Sequence, residues 1–191
     1  MTSTSALVWD KKTLFVRYIE ECGVSCELLT PHMIAAPFYR GRFVTLIVPT
    51  GFANPDYSGL LPALKAASSR IKRFVENGGN LLVFGAASTR EDAYSWLPFP
   101  LRYHHAYGPV ELRIDHDHPA ISLVEGCDTG CIECDGYFTE YEGTVIASAA
   151  RKPVMIAKSI GKGEVVAATI HEYPSPAFIR TFCTAPEEAL F

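Results

Sequence analysis

The chain has 191 residues, 48% hydrophobic and 20% charged, which is enough to bury one sizeable core and suits a single domain spanning 1–191. Its net charge of -4, with Lys and Arg scattered rather than striped, excludes a general attraction to phosphate backbones, so no nucleic-acid partner is expected. No apolar run approaches the roughly 18 residues of a membrane helix, and no basic leader precedes an apolar stretch, so no membrane partner and a cytoplasmic location are expected.

Ala6 to Asp10 reads as a first buried strand, and the apolar interval of Leu14, Phe15, Tyr18 and Ile19 predicts a helix from Thr13 to Cys22, ending on Gly23. Cys26 to Thr30 is a second strand stopped by Pro31. Phe43 to Pro49 is a third, strongly apolar strand that runs into the turn-forming loop Thr50-Gly51-Phe52-Ala53-Asn54-Pro55. Leu60 to Val75 carries Leu61, Leu64, Ile71, Phe74 and Val75 on one helical face. The helix closes on Gly78-Gly79, and Asn80 to Phe84 then predicts a buried parallel strand whose tip, Gly85-Ala86-Ala87-Ser88, must turn sharply.

The second half differs in character. Pro98, Pro100, Pro109 and Pro119 punctuate short segments, and the apolar runs Thr144 to Ser148, Pro153 to Ala157 and Glu164 to Ile170 are separated by turn residues. These predict antiparallel hairpins, followed by a short helix from Pro176 to Cys183. The whole pattern predicts an α/β fold of flavodoxin-like, doubly wound type: a mainly parallel sheet with helices on both faces and hairpins in the C-terminal half.

Four pieces of the chain carry a family resemblance. They are Phe43 to Phe52; Gly78 to Gly85; Asp117-His118-Pro119-Ala120-Ile121 followed by Cys134-Asp135-Gly136-Tyr137-Phe138; and Gly161-Lys162-Gly163 running through to His171. Their order resembles the class I glutamine amidotransferase-like superfamily, and within it the ThuA-like and related amidotransferase-like proteins. The resemblance implies an oxyanion loop at Thr50-Gly51, a nucleophile elbow after the Gly78–Gly85 strand and a catalytic histidine at His171. It also exposes a departure: the elbow cysteine of glutaminases falls here on Gly85 or Ala86, and neither can attack a carbonyl. The acid, Glu172, follows His171 directly and would point the opposite way on a continuing strand. Glutaminase activity is therefore not expected.

What remains is a candidate pocket at the C-terminal edge of the sheet, where ligands bind in such folds. Asp10, Thr50, Gly51, Phe52, Gly85, Ala86 and Tyr173 are its candidate ligand-binding residues, and a small molecule or a protein partner is the expected occupant. The leading expectation is an amidotransferase-like domain that binds there without glutaminase activity, a pseudoenzyme that could form a homodimer. One alternative is a hydrolase or transferase of altered chemistry using His171 and Glu172, with Ser88 or a bound metal. Another is a metal or iron-sulfur module on Cys127, Cys131 and Cys134, whose close spacing suits a loop that folds its sulfurs inward. The plainer expectation for those thiols is that they flank a turn and stay reduced.

Overall fold

A computed structural model describes residues 1–191. In chain order it comprises β1 (Thr2–Val8), α1 (Leu14–Glu21), β2 (Ser25–Leu29), α2 (Pro31–Ala35), β3 (Arg42–Phe43), β4 (Thr45–Val48), α3 (Leu60–Ala66), α4 (Ser68–Glu76) and β5 (Asn80–Val83). The second half adds β6 (Leu101–Val110), β7 (Leu112–Ile114), a 3-10 turn (Pro119–Val124), β8 (Ile132–Tyr141), β9 (Thr144–Ala149), β10 (Lys152–Ile160) and β11 (Gly163–Ala168). Helix α5 (Pro176–Phe182) and the short strands β12 (Thr184–Ala185) and β13 (Ala189–Leu190) close the chain.

The main sheet runs β2-β1-β4-β5-β11-β10-β9-β7, with β12 pairing against the start of β1. Its first five strands are mutually parallel, and the last three are joined antiparallel. The expected α/β fold is thus present, and the hairpins sit in the C-terminal half. All the parallel strands end on one edge, so the segments after β1, β4, β5 and β11 emerge together.

Burial explains the covering of both faces. Leu46, Val48, Leu81, Val83 and Val165 point to one side, where they pack with Leu64, Ile71 and Phe74 of α3 and α4. Leu7, Ile47, Leu82, Phe84 and Val166 point to the other, against Phe15 and Ile19 of α1 and Phe178 and Ile179 of α5. This alternation is the period of two of a strand buried on both faces. Each such side chain contributes about 1.5–3 kcal/mol on leaving water.

Three expectations are corrected in detail. The single helix from Leu60 to Val75 is two helices, broken at Ala67 (φ -90°, ψ 0°) beside the Ser68-Ser69 pair, a sequence where helices bend. The third strand is interrupted at Val44, between β3 and β4. The region read only as proline-punctuated segments contains a long antiparallel ribbon, β6 with β8, whose register shifts between Arg102 and Tyr103 and between His105 and Gly108. Those shifts break the alternation that marks a strand in sequence.

The β10–β11 turn is fixed by close backbone contact. A Cβ placed on Gly163 would lie 2.1 Å from the carbonyl oxygen of Gly79 and 2.5 Å from that of Val75. Neither atom can swing aside as a side chain would. Gly163→Ala is therefore expected to lower stability by about 1–3 kcal/mol, read as a reduced urea midpoint at unchanged slope; an unchanged midpoint would contradict this packing.

Candidate active site

Four strand tips and one crossing strand build the site. After β5, Phe84 N still donates to Val48 O (2.9 Å) and Gly85 O accepts from Gly51 N (2.8 Å), so the chain stays extended through Gly85. The sharp turn comes at Ala87, a non-glycine residue at φ +46°, a backbone region that L-residues rarely adopt and that clusters at functional sites. The sharp turn expected at Gly85 or Ala86 therefore comes one or two residues later.

The crossing strand is β8. Asp135 N donates to Thr169 O (2.7 Å), His171 N donates to Glu133 O (2.8 Å), and Cys134 bridges Ile170. Thr169 Oγ1 closes the same contact by donating to Gly136 O (2.7 Å). The tip of β11 is thereby zipped to β8, which sets Asp135 beside His171, with Oδ1 to Nε2 at 3.8 Å.

The Asp135 side chain is 3% exposed and that of His171 is 44% exposed. Asp135 occupies the space where Gly85 lacks a side chain, since a Cβ there would lie 2.2 Å from Oδ2. That Oδ2 has no hydrogen-bond partner. Tyr103 donates its hydroxyl proton to Asp135 O (2.7 Å), so its 3.0 Å contact with His105 Nδ1 requires the ring nitrogen to be the donor. Tyr107 donates to Glu133 Oε2 (2.6 Å) and forms a T-shaped pair with the His171 ring, 5.6 Å between centroids.

Above these groups lies a cavity of about 600 Å³ lined by Thr50, Asn54, Tyr57, Ala87, His105, Tyr107, Asp135 and His171. A smaller cleft of about 230 Å³ adjoins it, sharing Thr50 and His171 and otherwise walled by Trp9, Thr13, Phe15, Pro49, Phe84, Glu172, Tyr173 and Pro174. No cysteine lines either one.

Of the sequence candidates, Thr50 and His171 meet in the main cavity, and Glu172 and Tyr173 line the cleft. The others are placed differently. Gly51 donates its N–H to Gly85 O and is not a free oxyanion donor. Phe52 is fully buried, edge-on to Tyr94 and Trp96. Gly85 lies beneath Asp135, and Ala86 is wholly buried. Asp10 accepts from Ser58 Oγ and from Gly59 N (3.3 Å), tying the segment after β1 to the start of α3. Ser88 Oγ accepts from Arg90 N (3.3 Å) in a turn and lies outside both cavity linings.

The acid beside His171 is Asp135, not Glu172. The sequence marks Cys134-Asp135-Gly136 as part of a resemblance but gives the aspartate no role, because its contact with His171 depends on the unforeseen ribbon. The cysteine triplet does not converge either. Cys134 is buried, Cys127 half-buried and Cys131 exposed, and no group of three or more His, Cys, Asp or Glu side chains is placed to hold a metal ion. Burial pushes the Cys134 thiol up to about 11, away from the thiolate that metals bind. His118 accepts from Ala120 N through Nδ1 (3.1 Å) and sits 3.3 Å from Glu164 through Nε2, a structural cap.

The fold is shared with solved structures. The chain superposes on a protein from Thermoplasma acidophilum, provisionally assigned as part of a GMP synthase, with a TM-score of 0.61, at 14% identity over 96% of this chain and 93% of that one. A cytoplasmic protein of Salmonella typhimurium LT2 gives 0.54, at 13% identity over 92% of each chain. A β-galactosidase from Bacillus circulans sp. alkalophilus gives 0.53, at 12% identity over 94% of this chain and 30% of that one. Such identities show a common fold and nothing finer. No family model and no curated protein sequence matches the chain, and no helix is long and apolar enough to cross a membrane.

Burial raises the Asp135 carboxyl above its ordinary value, while the His171 and His105 rings pull it back. The folded protein therefore holds this proton to a higher pH than the unfolded chain, which releases it at about pH 3.9. Ionising Asp135 costs stability, and the cost grows as pH rises from the unfolded value through the folded one. Asp135→Asn removes the charge, so its urea midpoint should exceed that of the wild type near neutral pH, and the gap should close toward about pH 4. A gap independent of pH would contradict this origin.

Proposed function

We propose that this chain is an amidotransferase-like domain that binds a small molecule above Ala87 and does not hydrolyse glutamine. One observation carries the reading: Ala87, whose side chain is a methyl group, stands at a strained turn and lines one cavity with His171 and the buried Asp135, and we read that turn as the place where the resembled enzymes hold a thiol. The strain at Ala87 (φ +46°) costs of order 1–3 kcal/mol. A methyl group cannot form an acyl intermediate, so the groups around it act by hydrogen bonding and shape. Purified protein given L-glutamine is expected to release ammonia at the background rate, with no change on His171→Ala. Release above background that disappears in His171→Ala would refute the reading.

A second reading draws on the 3.8 Å approach of Asp135 to His171: hydrolysis in which the histidine takes a proton from water rather than from a protein nucleophile. Ester turnover lost in His171→Ala but kept in Ser88→Ala would favour it, because Ser88 lies outside the cavity lining.

A further inference from the structure

The aromatic cleft beside the main cavity is built as a wall for a ring. Tyr173 is 51% exposed, yet it is held on two sides, stacked on Phe15 (centroids 4.9 Å, 7° between planes) and against Tyr18 (5.1 Å). The Tyr18 hydroxyl donates to Pro174 O at 2.6 Å, which fixes the backbone next to Tyr173. An exposed aromatic that is already ordered loses little entropy on binding. Trp9 and Phe84 complete the apolar lining.

The cleft also holds an unmet polar group. Thr13 stands at the N-cap of α1 but makes no capping bond, and its Oγ1 is shielded from water with no partner. A buried hydroxyl left so is destabilising, and a ring N–H would supply the missing partner where a hydrocarbon ring would not. Across Thr50 and His171 the larger cavity presents a different chemistry: the Asn54 amide, the Tyr57 and Tyr107 hydroxyls and two imidazoles, with the one carboxylate, Asp135, sunk in its floor. These side chains include both donors and acceptors and suit a neutral head group that does the same. The two spaces together fall in the range of about 300–1,000 Å³ typical of small-molecule sites.

We infer that the site takes a two-part ligand: a flat N–H-bearing aromatic ring in the cleft against Tyr173 and Thr13, joined to a neutral, carboxamide-like head above Ala87. This rests on the small-molecule reading given above and narrows it to a chemical class. The small volume of the cleft, about 230 Å³, suits a bicyclic ring and not a peptide helix or strand.

Calorimetric titration with indole-3-acetamide, indole and acetamide tests it. Indole-3-acetamide is expected to bind at least about tenfold more tightly than either half alone. Tyr173→Ala and Thr13→Val should each weaken indole-3-acetamide and indole severalfold while leaving acetamide unchanged. Asn54→Ala should weaken indole-3-acetamide and acetamide but not indole. Acetamide binding as tightly as indole-3-acetamide, insensitive to Tyr173→Ala, would overturn the two-part ligand and leave the cavity reading intact. Absence of heat with all three compounds would overturn the inferred class, whereas the cavity reading fails separately, on glutamine turnover.

Discussion

The site depends on one short contact, the zipper between β8 and the tip of β11. Two backbone hydrogen bonds, Asp135 N to Thr169 O and His171 N to Glu133 O, with the Thr169 hydroxyl on Gly136 O, fix the chain where it leaves the sheet. Without them His171 would sit on a loop and Asp135 on a separate ribbon. With them, an acid and an imidazole from segments far apart in sequence meet over the strand that turns at Ala87. The zipper is made of backbone groups, so it specifies geometry while leaving the side chains free to change.

The same contact explains a cost that the fold sustains. Asp135 is buried with one oxygen unpartnered, and burial raises its carboxyl while two histidines only partly offset that. Burying a carboxylate costs several kcal/mol unless it is well paired. The structure makes room for it by keeping Gly85 free of a side chain and secures its backbone through Tyr103. Strain at Ala87 adds a further unfavourable contribution. The unpartnered Asp135 oxygen and the strain at Ala87 thus lie together at one edge, over a well-packed two-faced core, a combination that clusters at functional sites.

Much of this was legible in the sequence. The first-half strands were readable because continuous apolar runs between glycine and proline signals leave few alternatives, and the C-terminal edge followed from parallel topology. The same reasoning puts His171 and Thr50 at that edge, and both line the cavity. Asp135 was not assigned to the site, because β6 and β8 carry His104-His105, Gly108-Pro109 and two register shifts that erase the alternation. The exact turn was missed for a related reason: Gly85 and Ala86 are small because Asp135 and the sheet press on them, not because the chain bends there. The cysteine triplet showed the opposite error. Close spacing suggested convergence, but Cys134 lies on a strand facing the core and Cys131 faces solvent.

The central proposal is that Ala87 stands where the resembled enzymes carry their nucleophile, in a cavity that His171 also lines. Measuring the alkylation rate of Ala87→Cys by iodoacetamide, followed by intact mass and compared with the exposed Cys131 in the same molecule, tests it most directly. The introduced thiol should react about tenfold faster than Cys131, as a histidine-assisted thiolate does, and lose that advantage when His171 is also changed to Ala. An introduced thiol that reacts no faster than Cys131, and is indifferent to His171, would contradict the account.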